Sequence, residues 1–310
     1  MNKLSLRVLR ELKACKDALT FFEKNFGSET EYTVTELIEK AKSLEVDIPI
    51  NYVSWLMIKC EFCQTEKMLD YYKSLNPRDV DVSRLIRYCG FCQTEEMVDY
   101  FKTLNPDYWN VSWLIRKLVF CQTEEMLEYF KSLKPSYINV AWLIKNYEFC
   151  QTEEMLNYYK SLNPYYEDVS WLLNYCKFCQ TEEMLDYYKS LNPRYRNVVC
   201  LIKRCKFCQT EEMLDYFKSL NPHYEDVSWL IKTCKFCQTE EMVNYFKSLN
   251  PDYVTVTCLM ISSKFWQVED MLEYLKSLNP NYQTVSWLIE RCEFCQTEEM
   301  KEYRDSLKKD

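Results

Sequence analysis

The sequence predicts an all-α fold, an α-solenoid of about nine two-helix repeats of 29 residues. The first observation behind this expectation is a block of the type FCQTEEM, which recurs every 29 residues from Phe62 to Phe294 without an insertion. The second is that each copy contains two stretches with the apolar spacing of an amphipathic α-helix. The third is the scarcity of glycine, with only two in 310 residues, because β-sandwiches and barrels use glycine heavily in their tight turns.

Residues 1–50 lack the repeat signature and are expected to form a helical N-terminal cap. The leucines between residues 4 and 12 share one face of a first helix. Residues 18–26 predict a second helix, and residues 35–43 predict a third, each from the same apolar spacing. A segment of this kind would cover the apolar face of the first repeat, as the ends of a solenoid require.

The first helix of each repeat is predicted from a suitable N-cap residue and an apolar face. Val82, Leu85, Ile86 and Cys89 fall at i, i+3, i+4 and i+7, so this helix is expected to run from about Val82 to Phe91 in the second copy. The residue before it varies between copies, yet each type can accept a hydrogen bond from a free backbone N–H group. The expected N-caps are Asp81, Asn110, Asn139, Asp168, Asn197, Asp226, Thr255 and Thr284.

The second helix is expected to begin at the Thr of the QTEE block, which is Thr94 in the second copy. Two glutamates follow in its first turn, where carboxylates favour the positive end of the helix dipole. Met97, Tyr100, Phe101 and Leu104 predict its buried face. An Asn-Pro pair ends it, because proline lacks the N–H group and disfavours helix at the residue before it. Two helices of about ten residues cannot bury their apolar faces alone, so the copies are expected to stack.

Residues 51–310 are expected to form the repeats, and the last copy, from residue 283, is expected to serve as the C-terminal cap. In that copy, Lys301 and Arg304 stand where earlier copies have apolar or aromatic residues. The final helix is therefore expected to face water, because no further repeat stacks on it.

The alternation of two short helices, with VSWLI on the first, EEMLDYF on the second and a proline before the next, resembles the helical-hairpin repeats of the tetratricopeptide and pentatricopeptide superfamily. The resemblance covers residues 51–310 and implies a stacked scaffold. No binding code is carried over, because a tetratricopeptide unit has ~34 residues. The segment ACKDALTFFEKNFG, from Ala14 to Gly27, with the following VTELIEKA, resembles a segment of uncharacterised bacterial and phage proteins, which implies a bacterial or phage source.

The composition excludes several classes of function. Gly27 and Gly90 are the only glycines, so a Gly-rich phosphate loop cannot be built. The net charge of −8 disfavours wholesale coating of nucleic acid. The N-terminus is too charged for a secretory signal, and no apolar run of ~18 residues occurs, so we expect a cytoplasmic protein without a membrane span. In that compartment the 17 cysteines are expected to be reduced thiols.

Six C-x-x-C pairs could each form half of a zinc site. The pattern breaks in three copies, where Leu118, Tyr147 and the Ser263/Trp266 pair stand, and none of these residue types replaces a cysteine ligand. Neighbouring pairs are also expected about 9–10 Å apart, one helix layer, too far for a shared metal. We therefore expect buried structural cysteines, with no metal and no cofactor. The pairs are Cys60/Cys63, Cys89/Cys92, Cys176/Cys179, Cys205/Cys208, Cys234/Cys237 and Cys292/Cys295.

Catalytic groupings are not visible in the sequence. His223 is the only histidine, and most carboxylates belong to the QTEE blocks, where helix capping explains them. Six tryptophans share one repeat position and could either stack bases or pack between repeats, and we favour packing. Arg84 takes this position in one copy and is expected to mark an exposed edge. The tryptophans are Trp55, Trp113, Trp142, Trp171, Trp229 and Trp287.

The positions that vary between copies are candidates for function. On the first helix we expect an exposed stripe at positions 83, 87 and 90 and their equivalents, and on the second helix an acidic face with Glu95, Asp99 and Lys102. Helix-dipole complementation and ion pairing with the glutamates that open the next helix would explain the first-helix cations without any function. We call these cations the basic ridge: Arg87, Arg116, Lys145, Lys177, Lys203, Lys206, Lys232, Lys235 and Lys264.

These observations predict a non-enzymatic, monomeric repeat scaffold that binds an acidic protein or peptide along the basic ridge. The alternative is binding of single-stranded RNA along the same ridge, as other helical repeats do. The negative total charge is the main objection to RNA.

Overall fold

A computed structural model describes residues 3–309 of the chain. This part of the chain forms 21 α-helices and no strand, with one isolated antiparallel bridge between Leu4 and Tyr32. The helices recur with the 29-residue spacing of the sequence, which confirms the all-α solenoid. Among residues 3–309, the longest helix has 11 residues, and none combines the length and apolar character needed to cross a bilayer. The chain divides into two compact units, Met1–Leu162 (unit 1) and Asn163–Asp310 (unit 2).

The N-terminal segment contains three helices, α1 (Leu6–Glu11), α2 (Lys16–Phe26) and α3 (Val34–Ser43). The second and third agree with the sequence within two residues. The first is shorter than expected, because Leu4 lies outside it and pairs with Tyr32 instead.

The first helices of the repeats each have ten residues and share one register. In unit 1, α4, α6 and α8 contact one another in succession, and in unit 2, α12, α14, α16, α18 and α20 do so. The ranges in unit 1 are α4 (Ile50–Lys59), α6 (Asp79–Tyr88), α8 (Tyr108–Lys117) and α10 (Tyr137–Asn146). The ranges in unit 2 are α12 (Tyr166–Tyr175), α14 (Tyr195–Arg204), α16 (Tyr224–Thr233), α18 (Tyr253–Ser262) and α20 (Tyr282–Arg291).

Each first helix is followed by one turn of 3-10 helix and then by a second helix of nine residues. In eight of the nine repeats the 3-10 turn ends at a cysteine, as in Gly90–Cys92, and after α18 it ends at Trp266. The second helices of unit 1 are α5 (Glu66–Ser74), α7 (Glu95–Thr103), α9 (Glu124–Ser132) and α11 (Glu153–Ser161). Those of unit 2 are α13 (Glu182–Ser190), α15 (Glu211–Ser219), α17 (Glu240–Ser248), α19 (Glu269–Ser277) and α21 (Glu298–Ser306).

The first helices begin three residues earlier than the sequence predicted, so the expected N-caps were wrong. The helix of the second copy begins at Asp79, and its N-cap is Arg78, so Asp81 lies within its first turn. Asp107 caps α8 by accepting a hydrogen bond from the backbone N–H of Asn110, the residue we expected to be the cap. Asp, Asn and Thr suit the N-cap, and carboxylates also suit the first turn, so this residue pattern fits both registers.

The second helices begin where the sequence predicts. Thr94 Oγ1 accepts a hydrogen bond from the backbone N–H of Met97, and the corresponding Thr caps every second helix except α19. Two residues after the end of α7, Asn105 has a positive φ of 49°, a conformation that Asn adopts more easily than most residues. Lys134 takes the same conformation after α9. The buried residues of α7 are Met97, Val98 and Phe101, whereas Leu104 is only half-buried.

Within each unit, the second helices are joined by a repeated hydrogen bond. The hydroxyl of Tyr100 donates to the carbonyl of Lys73 at the end of the preceding second helix. Tyr129 and Tyr216 donate in the same way to Lys102 and Lys189, each at 3.2 Å. Each carbonyl also accepts a hydrogen bond from the backbone N–H of the Asn three residues later, so the Tyr hydroxyl is a second donor at the helix end and ties it to the next repeat.

Candidate binding surface

The outer face of the first helices is formed by the positions of Val80, Arg84 and Tyr88 and their equivalents. These positions are four residues apart, so they lie on one side of the helix, and in α6 all three are exposed. The expectation that Ser83 belongs to the exposed stripe was wrong, because Ser83 is 5% exposed. Ser, Ala, Val or Thr occupies its position in the other copies, and such residues allow successive first helices to pack closely.

Cations of the basic ridge stack on tryptophans of the following repeat. Such cation–π contacts contribute ~0.5–1 kcal/mol at exposed sites. Trp113, Trp142 and Trp229 therefore do pack between repeats, as expected, but Trp229 and Trp287 remain 42% and 36% exposed. The distances from cation to ring centroid are 3.9 Å for Arg87 over Trp113, 3.8 Å for Arg116 over Trp142 and 4.2 Å for Lys203 over Trp229.

The structure places the basic ridge in two rows, which each unit fills differently. In unit 1 only the helix row is basic, because Gly90, Val119 and Glu148 occupy the turn row there, and Val119 is 82% exposed. In unit 2 both rows are basic. The helix row, in the last turns of the first helices, comprises Arg87, Arg116, Lys145, Lys203 and Lys232. The turn row comprises the exposed residues that open the 3-10 turns, Lys177, Lys206, Lys235 and Lys264.

The charges of the second helices are paired between repeats. Lys102 bridges to Asp99 of its own helix and to Glu125 of the following second helix. Burial opposes the charge of this ammonium group, but the hydrogen bonds and charges of Glu125 and Asp99 outweigh burial and raise the pKa of Lys102. Equivalent bridges link Lys73 to Glu96 and Lys131 to Glu154 in unit 1, and Lys189 to Glu212, Lys218 to Glu241, Lys247 to Asp270 and Lys276 to Glu299 in unit 2.

This pairing changes the interpretation of both faces. One of the two glutamates that open a second helix binds a second-helix lysine, as Glu125 binds Lys102. The second-helix face nevertheless stays acidic, because a helix such as α7 carries Glu95, Glu96 and Asp99 against one lysine, Lys102. The second-helix lysines are therefore engaged in ion pairs on an acidic face, whereas the first-helix face carries cations such as Arg87, Arg116 and Lys203 that lie over aromatic rings.

Both cysteines of every C-x-x-C pair are buried, as the sequence predicts. The first cysteine ends the first helix, and its thiol reaches the preceding repeat. Sγ of Cys89 donates to the carbonyl of Met57 at 3.4 Å, and Sγ of Cys205 donates to the carbonyl of Leu173 at 3.2 Å. A hydrogen bond from the Cys92 thiol lowers the pKa of Cys89 to about 7. The thiols thus add contacts between repeats.

Residues 3–309 contain no group of three or more His, Cys, Asp or Glu side chains placed to hold a metal ion. His223 is exposed, and its Nδ1 caps α16 by accepting a hydrogen bond from the backbone N–H of Glu225 at 3.5 Å. A capping role explains this histidine without chemistry. The expectation that the chain needs no metal or cofactor stays a prediction.

A groove that the sequence did not predict lies on the outer face of unit 1. Its first part is lined by the start of α2 with α4 and α6, and its second part by α6 and α8; Asp81 and Arg84 line both. Arg84 is exposed and has no hydrogen-bond, ion-pair or ring partner within the described part of the chain. The sequence did signal this residue, because Arg84 is the only charged residue at the tryptophan position. The contribution of α2 could not be foreseen, because the N-terminal segment lies outside the repeat.

No protein-family model, no curated protein and no solved structure matches this chain. The resemblance to tetratricopeptide and pentatricopeptide repeats is therefore supported only at the level of a helical-repeat array.

Proposed function

We propose that the chain is a binding scaffold whose first-helix outer face takes an acidic protein or peptide partner. The observation that carries the proposal is the difference between the two faces. Lysines of the second helices, such as Lys102 and Lys218, are held in ion pairs on a face that keeps an excess of carboxylates, whereas the first helices expose cations together with apolar side chains. A surface of this composition suits a partner with carboxylates and apolar side chains, because interfaces combine apolar contacts with complementary charge.

The apolar component is found mainly in unit 1. Val80, Trp109 and Ile138 occupy one exposed position on α6, α8 and α10, where they are 43%, 56% and 58% exposed. In unit 2 the same position carries Glu167, Arg196, Glu225, Val254 and Gln283. Exposed apolar side chains next to one another are typical of interaction surfaces rather than of solvated helices.

Binding of single-stranded RNA is the second candidate, and the two basic rows of unit 2 favour it. Lys203, Lys206, Lys232 and Lys235 lie on adjacent repeats, and all are exposed. In that case binding should weaken along a steep straight line of log affinity against log salt concentration, because each neutralised phosphate releases counterions.

We further propose that the scaffold acts as a monomer in the cytoplasm, with its thiols reduced, and that its N-terminal segment indicates a bacterial or phage source. Measurement of the molecular mass in solution over a range of protein concentrations tests whether the chain is a monomer.

To test the binding surface, we compare the affinity of a variant that lacks three ridge charges with that of a control variant that lacks three charges elsewhere. The ridge variant carries Arg87→Gln, Arg116→Gln and Lys145→Gln, which lie in last helical turns of unit 1. The probes are a fluorescent short peptide that alternates Asp with Leu, and an oligouridylate. We expect the peptide to bind the native chain and to lose about tenfold or more in affinity with the ridge variant, because complementary surface charge contributes to association.

The control variant carries substitutions of three exposed lysines in the cap, Lys24→Gln, Lys40→Gln and Lys42→Gln. These lysines also lie in last helical turns, so both variants lose equal charge at equivalent dipole positions. Equal weakening by the two variants would show that total charge, and not the ridge, governs binding. Binding of oligouridylate alone, with a steep salt dependence, would favour the RNA alternative.

A further inference from the structure

The groove of unit 1 is placed and charged to receive a particular kind of segment. We infer that it binds an acidic peptide segment that also carries apolar side chains, and that the guanidinium of Arg84 holds one carboxylate of that segment. The inference rests on the proposed function and adds to it an anchor residue and a location. Arg84 lies outside the nine ridge residues and on the border between the two parts of the groove.

The charges in the groove favour a carboxylate. Its lining includes the cations Lys13, Arg78, Arg84 and Arg87, against one carboxylate, Asp81. Asp81 is already bound by Arg78, with 3.1 Å between Nε and Oδ2. Arg87 is stacked on Trp113, so among residues 3–309 the groove guanidinium without a partner is that of Arg84. A guanidinium presents paired N–H donors that match the two oxygens of a carboxylate, which makes Arg84 a suitable anchor.

Aromatic rings flank Arg84 on both sides along the stack. Tyr52 and Trp55 of α4 line the first part of the groove, and Tyr88 and Trp113 line the second. Tyr88 is 51% exposed. Aromatic side chains of this kind bury large areas against an apolar partner residue with little loss of side-chain entropy. A segment with apolar residues on both sides of a carboxylate therefore complements the groove in shape and charge.

Nucleic acid fits the same groove less well. A base needs a whole ring face on which to stack. In the second part of the groove, Arg87 lies over Tyr88 at 4.5 Å and over Trp113 at 3.9 Å, which leaves the rest of each ring for the smaller contacts of an apolar side chain. A phosphate backbone would also have to pass the carboxylate of Asp81, because this residue lines both parts of the groove. A peptide places one carboxylate on Arg84 and can present apolar side chains near Asp81.

The first test replaces Arg84 in the full chain and measures binding of the short Asp-Leu peptide. Arg84→Trp restores the residue that six other copies carry at this position, so the fold should tolerate it. We expect affinity to fall about tenfold or more, as for loss of one charge-assisted hydrogen-bonded pair. Arg84→Lys should retain part of the affinity. Arg204→Gln, an exposed first-helix cation of unit 2, should change it less than twofold.

The second test locates the peptide by alkylation of exposed thiols followed by mass spectrometry. Cys15 lines the groove, whereas Cys200 lies on the first-helix face of unit 2, and both are exposed. We expect saturating Asp-Leu peptide to protect Cys15 and to leave Cys200 reactive. A peptide in which Asn replaces Asp should protect neither.

The outcomes separate this inference from the proposed function. Protection of Cys200 alone, with affinity unchanged in Arg84→Trp, would overturn the groove assignment and leave the scaffold proposal standing. Failure of the Asp-Leu peptide to bind the native chain would overturn both. Protection of Cys15 by oligouridylate but not by the peptide would show that the groove binds nucleic acid and not the peptide.

Discussion

Tyr72 and Tyr188 bury their rings completely, yet neither hydroxyl has a hydrogen-bond partner among residues 3–309. Burial raises the pKa of both hydroxyls, so they stay protonated over the usual range of pH. Phe stands at the same repeat position in four other copies, Phe101, Phe130, Phe217 and Phe246. The position therefore accepts a large apolar side chain, which is the buried Leu275 in another copy, and the hydroxyl adds a desolvated polar group that the fold does not use.

We predict that Tyr188→Phe raises the free energy of unfolding by about 1 kcal/mol, because it removes an unsatisfied buried hydroxyl and keeps the ring. Tyr216→Phe is the matched control, because that hydroxyl donates to the Lys189 carbonyl at 3.2 Å, and its loss should lower stability by about 1 kcal/mol. Urea unfolding of both variants measures the two shifts. A loss of stability in both would mean that the Tyr188 hydroxyl has a partner in solution.

On the first helix, the sequence predicted the burial of apolar residues correctly but not the burial of a small hydroxyl residue. Cys89, Val82 and Ile86 were assigned correctly to the buried side, because apolar character reports burial directly. Ser83 was assigned to the wrong side, because a small hydroxyl residue suits both a solvated surface and a close helix contact. Whether the position of Arg84 faces a groove depends on α2, which no repeat-to-repeat comparison includes.

At the scale of helices, capping determines where each second helix begins. Thr at the N-cap accepts a hydrogen bond from the backbone N–H group three residues later in eight of the nine second helices. In α19 the N-cap is Val268, which makes no side-chain cap, and the preceding 3-10 turn ends in the fully buried Trp266. The indole of Trp266 contacts the ring of Phe246 edge-on at 5.2 Å. This helix keeps its length but lacks the bond that its counterparts have.

We predict that Val268→Thr stabilises α19 by about 1 kcal/mol, the usual contribution of an N-cap side chain. Amide hydrogen exchange at the start of α19 should slow about fivefold, which is the corresponding change in the opening equilibrium. Thr239→Val in α17 is the reverse experiment, because Thr239 now accepts a hydrogen bond from the backbone N–H of Met242 at 3.3 Å. Unchanged exchange in both variants would show that tertiary packing, and not the cap, limits the opening of these helices.

The two helix starts differ in how well the sequence predicts them, for a physical reason. Before the second helix, Thr94 is followed directly by two glutamates, and this order fits one register only. Before the first helix, the N-cap is Arg78, Tyr165 or Arg194 in different copies, and these side chains make no capping bond. The proline of the Asn-Pro pair sets the chain direction there, and residue type carries little signal at the cap itself.

At the scale of the whole molecule, the same contacts recur from one repeat to the next within each unit. A Tyr hydroxyl, a Lys–Glu bridge and a buried cysteine join successive copies, so stability arises chiefly between neighbours. The 29-residue period made this stacking predictable from the sequence alone. Surface pairing was less predictable, because Lys102 lies 23 residues from Glu125 in the chain and the period does not show which charges meet.

Burial divides the 17 thiols of the chain into two classes. Cys15, Cys200 and Cys258 are exposed, and the other fourteen are buried. Reaction with a disulfide reagent requires both a thiolate and access to it. A hydrogen bond from the Cys208 thiol lowers the pKa of Cys205, which favours the thiolate form. Cys205 is nevertheless only 2% exposed, so its lowered pKa favours the reaction while its burial opposes it.

We predict that access to the thiol, and not its pKa, determines its rate of reaction. At pH 7 the native chain should react rapidly with a chromogenic aromatic disulfide at its three exposed thiols and release three equivalents of aromatic thiolate. The remaining fourteen should react only after denaturant unfolds the repeats, because each lies between packed helices. Alkylation followed by mass spectrometry identifies the fast thiols. Cys121 serves as an internal control, because burial raises its pKa to about 11 and it should be slow for both reasons. Fast reaction of Cys205 in the native chain, with Cys121 still protected, would show that the turn between the two helices opens locally and that ionisation, not burial, controls the reactivity of the C-x-x-C pairs.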